Sequence, residues 1–347
     1  MRNFRRYSWL LIYLFGGSPV ADLSFNHKES SSLVEMAGGL LGLPFATCLR
    51  MSDVGYVSLS QENLDISYNS IEAYCEALTP GLKETYGPYQ RFKPIDGNYQ
   101  QLNDAILQIE NEFYGTIRPK RTARSGERPL AALNERGVEY VEVRCVDLNP
   151  FEPLGINAEQ IRFLDTFLLL CLLAPSPPDS ADSRASLGRN QTRVVERGRE
   201  PGLQLETDTG LVALSALATQ LLAACAPITQ ALDQANDSDA DSRKDTLANS
   251  SAAYLASLQA QKDKVARPAS TPSAKVIAAM ATHGSFYKFT MHQAQKVQQH
   301  LQAAVIAPAT ISALQEESAD SLRRQAEVEA ADTQTFEEFL EDYLALP

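Results

Sequence analysis

The sequence predicts an α+β fold, on three observations. Residues up to about Pro153 mix helical and period-two patterns, Phe163 to Ala174 is an apolar run interrupted only by Asp165, and from Leu211 onward the chain is rich in Ala, Leu and Gln. Strands therefore belong to the first half and successive helices to the second. The 347 residues, 44% hydrophobic and 21% charged, suffice for a full core and exclude wholesale disorder or a fibre. A net charge of −12 argues against a general nucleic-acid coat.

The amino end reads two ways. Arg2, Arg5 and Arg6 precede Trp9-Leu10-Leu11-Ile12-Tyr13-Leu14-Phe15 and then Gly16-Gly17-Ser18, which fits a short secretory signal or a core helix ended by glycine. Ser60 to Ala77 reads as turn and helix. Asn103 to Tyr114 and Gly137 to Asp147 have strand character, joined through the basic stretch Ile117 to Gly126. Glu159 to Ala174 is a buried helix, too short to span a bilayer, and Pro175 to Arg189 is a loop by composition. Helices are expected at about 211–235, 244–264, 274–304 and 312–345. Ser312 to Pro347 holds ten acids against Arg323 and Arg324, so −8 of the −12 lies in this tail, as expected of a solvated acidic helix.

Five widely spaced cysteines, never in C-x-x-C form, make neither a disulfide framework nor a zinc cluster and point to a reducing, cytoplasmic home. The four histidines show no metal-ligand spacing, and three glycosylation sequons are of the kind that arises by chance. No phosphate-binding glycine loop or nucleophile elbow occurs.

Two segments can carry chemistry. In Tyr140-Val141-Glu142-Val143-Arg144-Cys145 the strand period puts Val141, Val143 and Cys145 on one face and Tyr140, Glu142 and Arg144 on the other. A carboxylate and a guanidinium on one face suit a phosphorylated ligand with Mg2+, or equally a cross-strand salt-bridge face. In Leu107 to Tyr114, Gln108, Glu110, Glu112 and Tyr114 share a face, and the adjacent carboxylates need relief. Arg118, Lys120, Arg121 and Arg124 could provide it, or could clamp a polyphosphate.

Together these stretches resemble the proteobacterial type of glutamate–cysteine ligase. The resemblance runs through Tyr13 to Pro19, Leu49 to Tyr56, Leu107 to Tyr114, Ile117 to Glu127 and Glu139 to Phe151, in order, with weaker matches at Arg162 to Asp165, Gly198 to Gly202 and Glu329 to Thr333. It implies a glutamine-synthetase-like antiparallel active-site sheet, here partial, with a large helical C-terminal portion. It also implies ligation of L-glutamate to L-cysteine at the expense of ATP, the first step of glutathione biosynthesis. Glu142 falls on a Mg2+ ligand and Arg144 on a catalytic arginine at the nucleotide phosphates. Arg50, Tyr56 and Tyr114 fall on substrate-binding positions; Arg118 and Lys120 also match the family, and either bind an anion or form a salt-bridged loop.

The implied division is a partial catalytic region at 1–173, a connecting segment at 174–204 and a helical region at 205–347. Roughly the first third of the family's length, with most of its metal-binding carboxylates, has no counterpart here. The expectation is an inactive chain by itself, a separately encoded N-terminal segment as a partner, and neither nucleic acid nor membrane as one. The alternative is a non-catalytic remnant or binding scaffold. The same resemblance makes Trp9 to Phe15 an interior helix.

Overall fold

The computed structural model describes residues 1–25, 33–36, 39–55, 59–61, 64–240 and 252–345. The first half carries α1 (Arg2–Phe15), β1 (Val20–Asp22), β2 (Val34–Met36), β3 (Leu40–Gly42), α2 (Ile71–Lys83), β4 (Ile117–Lys120), α3 (Pro129–Arg136), β5 (Tyr140–Val143) and α4 (Ala158–Leu173). The second carries α5 (Ala181–Arg197), β6 (Gln204–Thr207), β7 (Gly210–Ala213), α6 (Leu214–Ala240), α7 (Ala253–Ala266), α8 (Pro272–His283), α9 (Phe286–Gln302), α10 (Pro308–Ala331) and α11 (Phe336–Leu344). The strands form three antiparallel sheets, ordered β1-β3-β2, β4-β5 and β6-β7. The α+β reading holds, with helices in the majority.

The core is organised on α1. Every residue from Trp9 to Phe15 is buried, so the apolar run at the amino end is a core helix in this structure. Phe4 meets Phe167 edge-on at 5.7 Å and Phe15 meets Phe163 at 5.8 Å, locking α1 to α4. The polar residues that resembled a signal's basic leader close the end of α4. Asn3 Nδ2 donates to the Cys171 and Ala174 carbonyls, and Arg2 and Arg6 donate to the carbonyls of Ser176 and Pro177. The Cys171 and Ala174 carbonyls are acceptors that a helix end leaves without intrahelical partners. One hydrophobic cluster runs from Phe4 to Leu258 and draws on α1, α4, α5, α6 and α7.

Several expectations are corrected. Asn103 to Tyr114 is not a strand; it is irregular, with one 3-10 turn at Glu110–Glu112. Amides in and just before it are taken by local side chains: Leu102 N–H by Gln108 Oε1, Ala105 N–H by Asn103 Oδ1 and Gln108 N–H by Glu112 Oε2. Such contacts compete with a ladder. The basic stretch after it contains β4 itself. The loop expected at 175–189 ends at Ser180, where a capping box with Ser183 starts α5. The expected 211–235 helix begins only after the β6-β7 hairpin. Of 244–264, residues 244–251 lie outside the described residues, Ala252 is the N-cap of α7 and the rest is in α7. The expected 274–304 helix breaks at Gly284, which has φ +76, a left-handed conformation glycine adopts freely. The expected 312–345 helix breaks before Thr335, which caps α11.

Two features bear on solvent exposure. Leu214–Asn236 within α6 is long and apolar enough to cross a membrane by length and composition; here α6 packs against α4 and α7. Helix α10 has no buried residue, as expected for the acidic tail. Beyond it, α11 docks on the first half through Leu340, through Phe336 edge-on to Tyr99 at 5.0 Å and through the Tyr343 carbonyl, which accepts from Arg128.

Lys264 of α7 lies over the Phe15 ring, with Nζ at 4.6 Å from its centroid and donating to Gln261 Oε1. Burial lowers its pKa to about 8, against an opposing pull from Glu159 and a smaller lowering by Lys275. At neutral pH both folded and unfolded states carry the proton, and the folded state bears the desolvation cost. Above about pH 8 the folded state releases the proton first, so this cost disappears between pH 8 and the unfolded value of 10.5. Lys264→Met is therefore expected to be more stable than wild type at pH 7, by on the order of 3 kcal/mol from the shift. Urea denaturation of both proteins should show the difference closing as pH rises from 8 to 10.5.

Candidate active site

The chemistry-bearing segments meet where β4 and β5 pair. The register sets Ile117 opposite Val143, Arg118 opposite Glu142, Pro119 opposite Val141 and Lys120 opposite Tyr140. Arg144 N–H donates to the Thr116 carbonyl at 2.9 Å and extends the ladder. Directly opposed residues share a face, so Arg118, Lys120, Tyr140, Glu142 and Arg144 line one side of the ribbon. The period-two reading of Tyr140, Glu142 and Arg144 is what the register produces.

Glu142 is the acid of this face. Its Oε2 lies 3.4 Å from Arg144 Nη1 and 3.9 Å from Lys120 Nζ. Arg118 is almost fully buried, 4% exposed. One of its Nη atoms donates to the carbonyls of Asn111 and Phe113, while its Nε has no partner. Burial, with Arg144 nearby, lowers its pKa. Tyr114 lies between the two arginines, its ring centroid 5.6 Å from the Arg118 guanidinium and 5.0 Å from that of Arg144.

The expected relief of Glu110 and Glu112 by Arg118, Lys120, Arg121 and Arg124 is not what forms. Both oxygens of buried Glu110 accept from Arg128, at 3.0 Å each, and Glu112 caps the Gln108 amide. Arg128 was not among the residues read from the sequence as functional.

Arg50 reaches the site from a 3-10 turn at Leu49–Met51. Its Nε donates to Asp147 Oδ1 at 2.7 Å, and one Nη donates to the carbonyls of Arg144 and Val146. Asp147, 6% exposed, is the residue that sequence reasoning missed. Its Oδ2 accepts from Gly17 N–H at 2.8 Å and from Ser18 Oγ at 2.7 Å, and its Oδ1 also accepts from Cys48 Sγ at 3.1 Å. One carboxylate thus joins the turn after α1, the Cys48–Arg50 segment and the chain leaving β5. The Gly16-Gly17 pair permits this closeness. A Cβ on Gly16 would stand 2.6 Å from the Thr47 carbonyl oxygen, and one on Gly17 2.9 Å from that of Leu148.

Arg50, Tyr114 and Arg144 line one cleft of about 210 Å3, together with Arg5, Gln61, Tyr68 and Gln191. Arg118 and Lys120 line a second cavity of about 310 Å3 with Asn111, Arg121 and Tyr140. The structure thus distributes the predicted residues over two neighbouring hollows around the β4-β5 ribbon. Tyr56 lies outside the described residues. Among the described residues no three His, Cys, Asp or Glu side chains come together as a metal site. Cys48 and Cys145 are buried thiols pushed up by desolvation, Cys145 to about 12.

Asp147 accepts from four groups, so Asp147→Asn must turn an amide N–H toward existing donors. The expected loss is about 3–5 kcal/mol of unfolding free energy, the usual cost of breaking a buried charged network. Asp182→Asn on the exposed side of α5 should stay within about 0.5 kcal/mol. Urea denaturation of the two variants makes the comparison.

Comparison with known proteins places this arrangement. The family model described as glutamate–cysteine ligase matches residues 1–194. The chain is 43% identical over 347 residues to the glutamate–cysteine ligase of Azotobacter vinelandii and 42% identical to that of Pseudomonas fluorescens Pf-5, covering 99% of this chain in each case. It spans 63% of the length of these curated relatives. A crystal structure of a glutamate–cysteine ligase from Francisella tularensis in complex with AMP superposes with a TM-score of 0.87 at 33% identity, over 99% of this chain and 66% of that one. A bifunctional glutathione synthetase from Pasteurella multocida shares the fold, with a TM-score of 0.57 at 21% identity over 86% of this chain and 31% of that one. The motifs, the paired strands and these matches agree, and the chain belongs to the glutamate–cysteine ligase family.

Proposed function

We propose that this chain carries the ligand-binding part of an enzyme joining the γ-carboxylate of L-glutamate to the α-amine of L-cysteine, the first step of glutathione biosynthesis. The observation that carries the reading is the β4-β5 ribbon, which sets Glu142 and Arg144 beside the cleft of Arg50 and Tyr114. A carboxylate is a poor electrophile and needs activation. Its oxygen attacks the γ-phosphorus of ATP, the bond to the leaving ADP oxygen breaks, and an acyl phosphate forms. The cysteine amine then attacks the acyl carbon, phosphate leaves, and the amine loses its proton.

Both displacements build negative charge on phosphate oxygens, and cations held in place before the reaction stabilise it best. Arg144 is assigned that catalytic task, with Arg118 and Lys120 as anion-binding neighbours. Arg118 is the more constrained: its burial and carbonyl contacts hold its direction. Arg50, Tyr56 and Tyr114 are assigned to the amino-acid substrates. The Asp147 contact fixes the Arg50 fork in direction.

Mg2+ is the usual companion of ATP in such chemistry. It takes about six oxygen ligands in octahedral geometry, several of them water. Glu142 would be one donor, but its charged neighbours in this chain are Arg144 and Lys120, and no further described carboxylate faces it. The described residues do not compose a Mg2+ site. The donor set supports the expectation that these 347 residues by themselves turn over poorly.

The reading is tested at two levels. Titration of the purified chain with AMP should show binding that Arg144→Met weakens about tenfold or more, the scale of one charge-assisted contact. In an assay of ATP-dependent γ-glutamylcysteine formation, the 347-residue chain alone should be slower than a full-length relative by at least about a hundredfold, given the missing metal donors. Adding the unmatched portion of such a relative as a separate chain should restore turnover. Nucleotide binding without turnover in the reconstituted pair would favour the binding-scaffold reading.

A further inference from the structure

We infer that Arg5 of α1 is a specificity-determining residue of the cleft, holding a carboxylate of the amino-acid ligand; this rests on the assignment of that cleft to the amino-acid substrates. Three arginines line it, Arg5, Arg50 and Arg144, and its described lining residues include no Asp or Glu. The three cations are not equally neutralised. Arg50 is bonded to Asp147 at 2.7 Å. Arg144 has Glu142 at 3.4 Å.

The nearest carboxylate to Arg5 is Asp179, with Oδ2 at 3.9 Å from its Nη1. Asp179 is held more closely by Arg184 at 3.0 Å. Among the described residues, the Arg5 side chain donates one hydrogen bond, to the neutral Ile66 carbonyl at 3.0 Å. Its guanidinium is nevertheless well placed. It lies 4.8 Å over the Tyr68 ring, and Tyr68 Oη donates to the Ile117 carbonyl of β4 at 2.8 Å. The side chain is therefore oriented by stacking while most of its fork is left for a ligand, and a planar fork matches a carboxylate.

Of the three, Arg5 is thus the guanidinium with no carboxylate within hydrogen-bond distance, although Asp179 and Asp65 both lie near enough to feel its charge. A ligand contacting both arginines would place one anionic group on Arg5 and the other on Arg144. Glutamate and cysteine each offer an α-carboxylate to Arg5, and the test separates them.

The purified full chain, with Arg5→Gln and Arg5→Lys variants, is titrated calorimetrically with L-glutamate and with L-cysteine. The probes γ-aminobutyrate and cysteamine lack the respective α-carboxylates. The expected result is that Arg5→Gln weakens one amino acid about tenfold or more while its decarboxylated analogue changes by less than about twofold, and that Arg5→Lys keeps most of the affinity. The amino acid that shows the loss is the one Arg5 holds. Equal weakening of amino acid and analogue would mean a structural effect and overturn the inference, as would unchanged binding in Arg5→Gln. If the wild-type chain binds neither amino acid, the assignment of the cleft itself fails, and Arg5 with it.

Discussion

The buried carboxylate of Asp147 is the constraint on which the cleft depends. Three segments distant in sequence reach it: Gly17 and Ser18 after α1, Cys48 and Arg50, and the residues following β5. A buried carboxylate without partners would be costly, so the four donors make this junction a requirement of folding. It shapes the cleft because Arg50 lines it and one Nη also donates to the carbonyls of Arg144 and Val146. The position of Arg50, the proposed substrate contact, is thereby tied to the backbone that carries Arg144.

Cations are shared unequally around the β4-β5 ribbon. Arg128 is committed to Glu110 and to the C-terminal helix; Arg118 is committed to carbonyls and lies against Tyr114. Such groups shape the walls. Lys120 and Arg144 share the half-exposed Glu142, a loose arrangement that an incoming anion could redistribute. The acidic character of the chain does not oppose this, since most of the net charge lies in the solvated α10 and α11.

Much of this was legible in the sequence, for reasons that particular residues show. The Tyr140–Arg144 alternation survives because the ribbon is regular there, and Glu159 to Ala174 reads as a helix because Asn157 caps it and its apolar face is continuous. Asn103 to Tyr114 misled because its polar side chains bond to nearby amides, which periodicity does not register. The start of α5 was hidden under a Pro- and Ser-rich composition that also happens to contain a capping box. Asp147 stood in a quoted motif without a role. Its significance comes from Gly17, Ser18, Cys48 and Arg50, partners 97 to 130 positions away, and no local pattern reports such convergence. The two adjacent glycines were the one available clue, since paired glycines mark close backbone approach as well as a helix end.

The central claim is that Asp147 and Arg50 act as one unit. A double-mutant cycle of Arg50→Met and Asp147→Asn, read as unfolding free energy in urea, tests it most directly. The account predicts a coupling of about 2 kcal/mol or more, as expected for partners in one buried charged network. Additive effects, within about 0.5 kcal/mol, would contradict it.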